Sequence, residues 1–122
     1  MDGRRRAAFG ASGEAFAERY LTSRGLRLIA RDVRLKNGQI DLVMRDRDCL
    51  VVVEVKARRR CGFGIPAEAV VGRKLRKLEA LAETYHLLHP ELGHNRRIDV
   101  VAVELDRRGQ PTTCEHIPSV TE

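Results

Sequence analysis

Tryptophan is missing from this chain, and aromatic residues make up only 4% of its 122 positions. Proteins that grip single-stranded nucleic acid by stacking bases need several exposed rings. Here Phe9, Phe16, Tyr20 and Tyr85 are expected to be committed to helix packing, so a nucleic-acid partner would be a duplex or a branched form held by its backbone. Cysteine is sparse: Cys49, Cys61 and Cys114 are scattered and odd in number. That argues against a disulfide framework and suits a reducing cytoplasm. No apolar run approaches the length of a membrane span. Arg4-Arg5-Arg6 near the start is followed by no apolar stretch, unlike a secretory signal. There is no repeat, no glycine-rich phosphate loop and no Gly-x-Ser-x-Gly elbow. His86 and His89 stand three apart with no cysteine pair or glutamate to complete a metal set, and His94 and His116 are isolated, so surface histidines are expected. These absences point to a cytoplasmic protein with no membrane partner.

Positive charge is abundant. The formal net charge is +6, with 23 Lys and Arg against 17 Asp and Glu. A polyanionic partner is the simplest use of such a balance. The cations cluster at Arg4 to Arg6, Arg58 to Arg60, Arg73-Lys74, Arg76-Lys77 and Arg96-Arg97. Arg58, Arg59, Arg60, Arg73, Lys74 and Lys77 are the candidates for contact with nucleic-acid phosphates. At 43% hydrophobic residues the chain can build a core, and its length fits one domain over 1–122, with 1–9 as a flexible basic arm.

Val51-Val52-Val53-Glu54-Val55-Lys56 carries the strongest local signal. Four valines in five positions describe a strand buried on both faces. Glu54 and Lys56, two apart, point to one side of it. Ionised groups in such a strand are costly unless paired, hydrogen-bonded or bound to metal. Asp41 lies in the preceding apolar run, Ile40 to Met44, and the polar stretch Arg45 to Asp48 between the runs reads as a hairpin turn. A turn centred on Arg47 and Asp48 sets Asp46 opposite Cys49, and the same register sets Asp41 opposite Glu54, with Cβ atoms roughly 5 Å apart. A one-residue slip would separate them. Two carboxylates so placed repel unless a divalent cation lies between them, and oxygen-only ligands favour Mg2+ or Mn2+ over zinc. The competing explanation is a buried ion pair that only fixes register.

Asp41 followed by Glu54-Val55-Lys56 resembles the signature of the PD-(D/E)XK nuclease superfamily. More of the chain resembles the bacterial YraN-like family: Gly10 to Glu14 with Ala17 and Tyr20-Leu21, Gly38 to Val43, Val53 to Lys56, Phe63-Gly64 with Pro66, and Arg97 to Val101. That family is described as predicted nucleases similar in layout to archaeal Holliday-junction resolvases. The resemblance implies a restriction-endonuclease-like α/β fold, a three-layer αβββαβ core with one added C-terminal strand. It implies Asp41 and Glu54 as catalytic metal ligands, the Val55 carbonyl as a further ligand, Lys56 as the catalytic lysine and Glu14 as a carboxylate sent in from the first helix. It also implies Mg2+ or Mn2+ as cofactor and a homodimer, although no self-complementary patch is legible. Ile40 stands where the superfamily has proline, and Gln39 where the family carries glutamate.

The element reading along the chain follows the same layout. A helix is expected near Gly10 to Arg24, with Ala11, Ala15, Tyr20 and Leu21 as its stripe. A strand from Leu26 to Leu35 leads into a Lys36-Asn37-Gly38 turn. Arg58 to Ile65 reads as a loop, and a helix from Pro66 to about Leu88 carries Val71, Leu75, Leu78, Ala82 and Tyr85 inward. Arg97 to Leu105 reads as a strand parallel to the valine strand, and Thr112 to Val120 as an edge strand. Asp99 is either an outer group of the site or an ion-pair partner of Arg97. The function expected is metal-dependent hydrolysis of phosphodiester bonds in DNA. The alternatives are a non-catalytic nucleic-acid-binding module on a nuclease fold and a scaffold whose buried ions only specify the fold.

Overall fold

The computed structural model describes residues 3–59 and 72–120. Its order is α1 (Gly3–Ser23), β1 (Arg27–Leu35), β2 (Gly38–Asp46), β3 (Cys49–Arg59), α2 (Arg73–Leu88), a 3-10 turn at Pro90–Leu92, β4 (Asn95–Leu105) and β5 (Pro111–Ile117). The strands form one sheet in the order β1-β2-β3-β4-β5. β3 and β4 run parallel, and the other pairings are antiparallel. Parallel neighbours need a crossover, and α2 supplies it. This mixed α/β sheet, flanked by two helices and extended by β5, is compatible with the restriction-endonuclease-like core expected from the sequence.

The valine strand is central and covered on both faces. Leu50 and Val52 join Ile98 and Val100 in a core under Leu75, Leu78, Leu81, Ala82 and Tyr85 of α2. Val51 and Val53 join Val101, Val103 and Leu105 in a second core under Ala17 and Leu21 of α1. Burial of both faces explains a sequence with no polar side. The expected stripe of α2 is present, with Leu81 added, and Val71 lies outside the described residues.

Several boundaries and faces differ from the sequence reading. α1 begins at Gly3, so residues 3–9, read as a flexible arm, are helical. Arginine and alanine, which fill most of that stretch, are strong helix formers. Gly10 and Gly13 are therefore interior to the helix rather than in its first turn. A Cβ on Gly13 would come 3.1 Å from the Ala57 Cβ, so the close approach it permits is between α1 and β3. Ala17 and Leu21 face inward with Phe16 and Tyr20 beside them, whereas Ala15 is exposed. Arg58 and Arg59 extend β3 instead of opening a loop. Arg60, Cys61, Phe63, Gly64 and Pro66 lie outside the described residues. β1 does not keep the simple alternation of a regular strand. A register shift between Leu28 and Ala30 sends Leu28 to the α1 core and Ile29, Ala30, Val33 and Leu35 to the α2 core. An extra residue in one strand of a pair does this.

Candidate functional site

Asp46 pairs with Cys49 and Leu42 with Val53, the register read from the sequence. Arg47 takes a φ of 55°, as a tight turn between these strands demands. Beyond Leu42 and Val53 the paired register ends. Ile40 belongs to the α2 core and Leu42 to the α1 core, so β2 changes faces across Asp41. Asp32, on the neighbouring strand between the paired residues Arg31 and Val33, has a φ of 50°, in the left-handed region. The Asp41 side chain fills the gap that opens between β2 and β3: its Oδ2 accepts the Val55 N–H at 2.8 Å. An acidic group therefore sits where a ladder bond would otherwise lie.

Glu54 is 8% exposed and, since Val53 faces the α1 core, strand alternation turns it to the α2 side of the sheet. Two ammonium groups converge on its Oε1, Lys74 Nζ at 3.0 Å and Lys56 Nζ at 3.5 Å. From the other side of the sheet, α1 delivers Glu14, which donates a hydrogen bond to Asp41. The structure thus brings together Glu14, Asp41, Glu54, Lys56 and Lys74, drawn from α1, β2, β3 and α2.

The electrostatics are those of crowded carboxylates. Burial, then the Asp41 charge and hydrogen bond, pushes Glu14 up to about 7. Burial, then the charge on Glu54, pushes Asp41 up to about 6, against the pull of the Val55 N–H and Glu14. Lys56 is pulled below the usual lysine range by Lys74 and then by burial. Lys74 is held above it by Lys56 first and, against burial, by Glu54. One ammonium of the two is thus the readier to lose its proton, and it is the one on β3.

A divalent cation suits this set on the chemistry of its donors. Two carboxylates that repel each other lie beside the Val55 peptide, and every available ligand is oxygen. Among the described residues no three His, Cys, Asp or Glu side chains gather to hold a metal by themselves. The ligands would thus be Asp41, Glu54, the Val55 carbonyl and water, and Mg2+ ordinarily keeps several waters.

The raised carboxyls set a pH dependence. Their ordinary values are 4.5 for Glu14 and 3.8 for Asp41, so the folded protein holds protons that the unfolded chain has already released. Stability is therefore greatest at the acid end of this window and is lost as pH rises through about 6 to 7. Glu18 and Asp48, held down by Arg31 and His94, act in the opposite sense only at lower pH. The metal-free protein is expected to lose on the order of 2 kcal/mol between pH 5 and pH 8. Urea denaturation at the two pH values measures this, and millimolar Mg2+ should restore most of the loss at pH 8.

The remaining candidates are placed as follows. Arg58 and Arg59 end β3 just beyond Lys56, and Arg73, Lys74 and Lys77 lie on α2 with exposed side chains. Lys77 also reaches the β1–β2 turn, where its Cε would lie 3.2 Å from a Cβ on Gly38. Gln39 donates a hydrogen bond to Asp32 across β1 and β2. Asp32 in turn contributes to the raised pKa of Glu14. A carboxylate therefore stands beside position 39 although residue 39 itself is an amide. His86 bonds the Gly93 carbonyl at 2.6 Å and His89 packs on the Tyr85 ring, so the two do not converge on a metal.

Asp99 is fully buried and is not part of the site. Arg97 grips it through Nε at 3.0 Å and Nη2 at 3.3 Å while also reaching Asp46 at 3.0 Å. His116 Nε2 lies 2.8 Å from its Oδ2, and the Ser119 N–H donates to Oδ1 at 3.0 Å. Of the two roles left open for Asp99, ion pairing with Arg97 is present. The parts of His116 and Asp32 had no sequence signal, because each depends on a partner in another strand or on a local break in strand geometry.

The model of the uncharacterised protein family UPF0102 matches residues 13–103 of the chain. A UPF0102 protein of Kineococcus radiotolerans is 43% identical over 119 residues, 97% of each chain. A UPF0102 protein of Beutenbergia cavernae is 43% identical over 117 residues, covering 96% of this chain and 98% of its own. A third, from Roseiflexus castenholzii, is 41% identical over 120 residues, covering 97% and 96% respectively. No described helix is long and apolar enough to cross a membrane.

Proposed function

Because the chain belongs to the uncharacterised protein family UPF0102, a description that names no activity, we propose from the site itself that it is a metal-dependent nuclease of the PD-(D/E)XK type, hydrolysing phosphodiester bonds in DNA. One observation carries the reading: where β2 parts from β3, Asp41 holds the Val55 N–H and lies near enough to Glu54 for that charge to raise its pKa, with Lys56 directly beside Glu54. The nuclease pattern needs that spatial pairing, and a bare Glu-x-Lys in the sequence does not guarantee it.

The roles follow from the geometry. Asp41 and Glu54, with the Val55 carbonyl, would hold the cation, which when bound would polarise a phosphoryl oxygen and lower the pKa of its water. The Val55 N–H fixes Asp41 from one side. Glu14 bonds it from the other, its carboxyl pushed up to about 7 by burial and by the Asp41 charge. Lys56, lowered in pKa, orients the attacking water, can accept its proton, and otherwise neutralises charge growing on the phosphate. Arg58, Arg59, Arg73 and Lys77 flank the site and suit the neighbouring phosphates of the substrate backbone.

The test is a cleavage assay with Mg2+ or Mn2+ on a labelled four-way junction, flap, linear duplex, single-stranded DNA and RNA. Cleavage lost with EDTA and in Glu54→Ala is the expected result, with duplex or branched DNA preferred. Tight, salt-sensitive binding without cleavage of any substrate would replace the enzyme with a binding module on the same fold.

A further inference from the structure

A second property of the same residues rests on that reading and goes beyond it. Lys74 sits in the first turn of α2, with its Nζ nearer to Glu54 Oε1 than the strand lysine is, at 3.0 Å against 3.5 Å. The two partners differ in freedom. The Glu54 side chain is 10% exposed and held in the sheet, whereas the Lys74 side chain is 42% exposed on a flexible stem. Lys74 also lies close enough to Asp41 to stabilise its charge. A single cation of the chain's own thus pairs with one of the carboxylates assigned to the metal and lies near the other.

We propose that Lys74 is an internal counter-ion: it occupies Glu54 in the metal-free protein, competes with the divalent cation for that oxygen, and on displacement turns its ammonium to a substrate phosphate. An ammonium in contact with Oε1 and a cation bound to the same oxygen at about 2.1 Å crowd the same space and repel. The ion pair is half open to water, so it is weak enough to yield. Lys56 cannot serve this way, because strand alternation keeps it beside Glu54 whatever else is bound. Competition at Glu54 makes metal and phosphate binding mutually reinforcing, since each favours the state in which Lys74 has left the carboxylate.

The experiment measures Mn2+ binding to the DNA-free full chain at pH 7.5, from the electron paramagnetic resonance signal of free Mn2+. The proteins compared are the unmodified chain, Lys74→Met, Lys77→Met and the double variant Asp41→Asn with Lys74→Met. Lys74→Met is expected to bind Mn2+ at least about tenfold more tightly than the unmodified chain. Lys77→Met, which removes the same charge one turn along, should stay within about twofold of it. Lys74→Gln should follow Lys74→Met, which guards against a fault in one variant. Equal affinity of the unmodified chain and Lys74→Met, abolished in the double variant, would leave the cation site standing and overturn the competition. A Lys77→Met effect as large as that of Lys74→Met would reduce it to general charge and overturn it as well. No Mn2+ binding to any protein at millimolar concentration would remove the cation site and the competition together.

Discussion

Lys56→Ala is expected to lower the rate of DNA cleavage by on the order of 100- to 1,000-fold while leaving duplex affinity nearly unchanged. The argument is local. Lys56 is partly exposed at the end of the buried run, and among the described residues its ammonium meets Glu54 and Lys74, so its removal opens no core cavity there. It leaves Glu54 with its closer cation, Lys74, which keeps the carboxylate paired and the fold intact. What would be lost, on the proposed reading, is the group beside Glu54 that holds water and answers charge on the phosphate. On the proposed reading, affinity for the backbone would rest on Arg58, Arg59, Arg73 and Lys77, which the substitution leaves in place. Single-turnover cleavage and fluorescence anisotropy on one labelled duplex separate the two quantities. Equal loss of both in a folded variant would remove the catalytic role of Lys56.

Asp99→Ala is expected to destabilise the protein by about 3 kcal/mol or more, far beyond the effect of an ordinary surface change. Asp99 is completely buried and accepts from four donors: two Arg97 nitrogens, the His116 ring and the Ser119 backbone N–H. Truncation leaves a partly buried guanidinium with Asp46 alone, a buried imidazole without its partner and an unsatisfied N–H. It also loosens the chain after β5, which Asp99 ties to β4 together with the Val120 N–H to Ile98 carbonyl bond at 2.8 Å. Chemical denaturation measures the loss, and His116→Phe should cost about 1 kcal/mol, since it removes only one of the four donors. A cost below about 1 kcal/mol for Asp99→Ala would mean that these contacts contribute little.

The hairpin joining β2 and β3 was legible because its charges and turn residues fix one register. That register runs from the turn to Leu42 and Val53 and ends one residue short of Asp41 and Glu54, which are therefore not paired across the ladder as the sequence suggested. The two-sided burial of β3, the inward stripe of α2 and the alternation of Ile98 and Val100 against Val101 and Val103 were legible for a similar reason: period and polarity agree there. Four features were not. The change of face at Asp41 and the positive φ of Asp32 break the period from which faces are read. The approach of Lys74 to Glu54 joins a helix to a strand across a crossover, and no spacing encodes it; charge marked Lys74 only as a contact for phosphate. The tie between Asp99 and His116 crosses β4 to β5 and looks, in sequence, like an isolated histidine. Local patterns thus supplied the elements and the carboxylate pair. The cations around that pair are set by packing between layers.

Anomalous diffraction from crystals grown with Mn2+ tests most directly whether this carboxylate pair is a metal centre. The account predicts one dominant peak about 2.1 Å from oxygens of Asp41, Glu54 and the Val55 carbonyl, with the Lys74 ammonium withdrawn from Glu54 Oε1. A map with no peak there, and Lys74 still paired with Glu54, would contradict it.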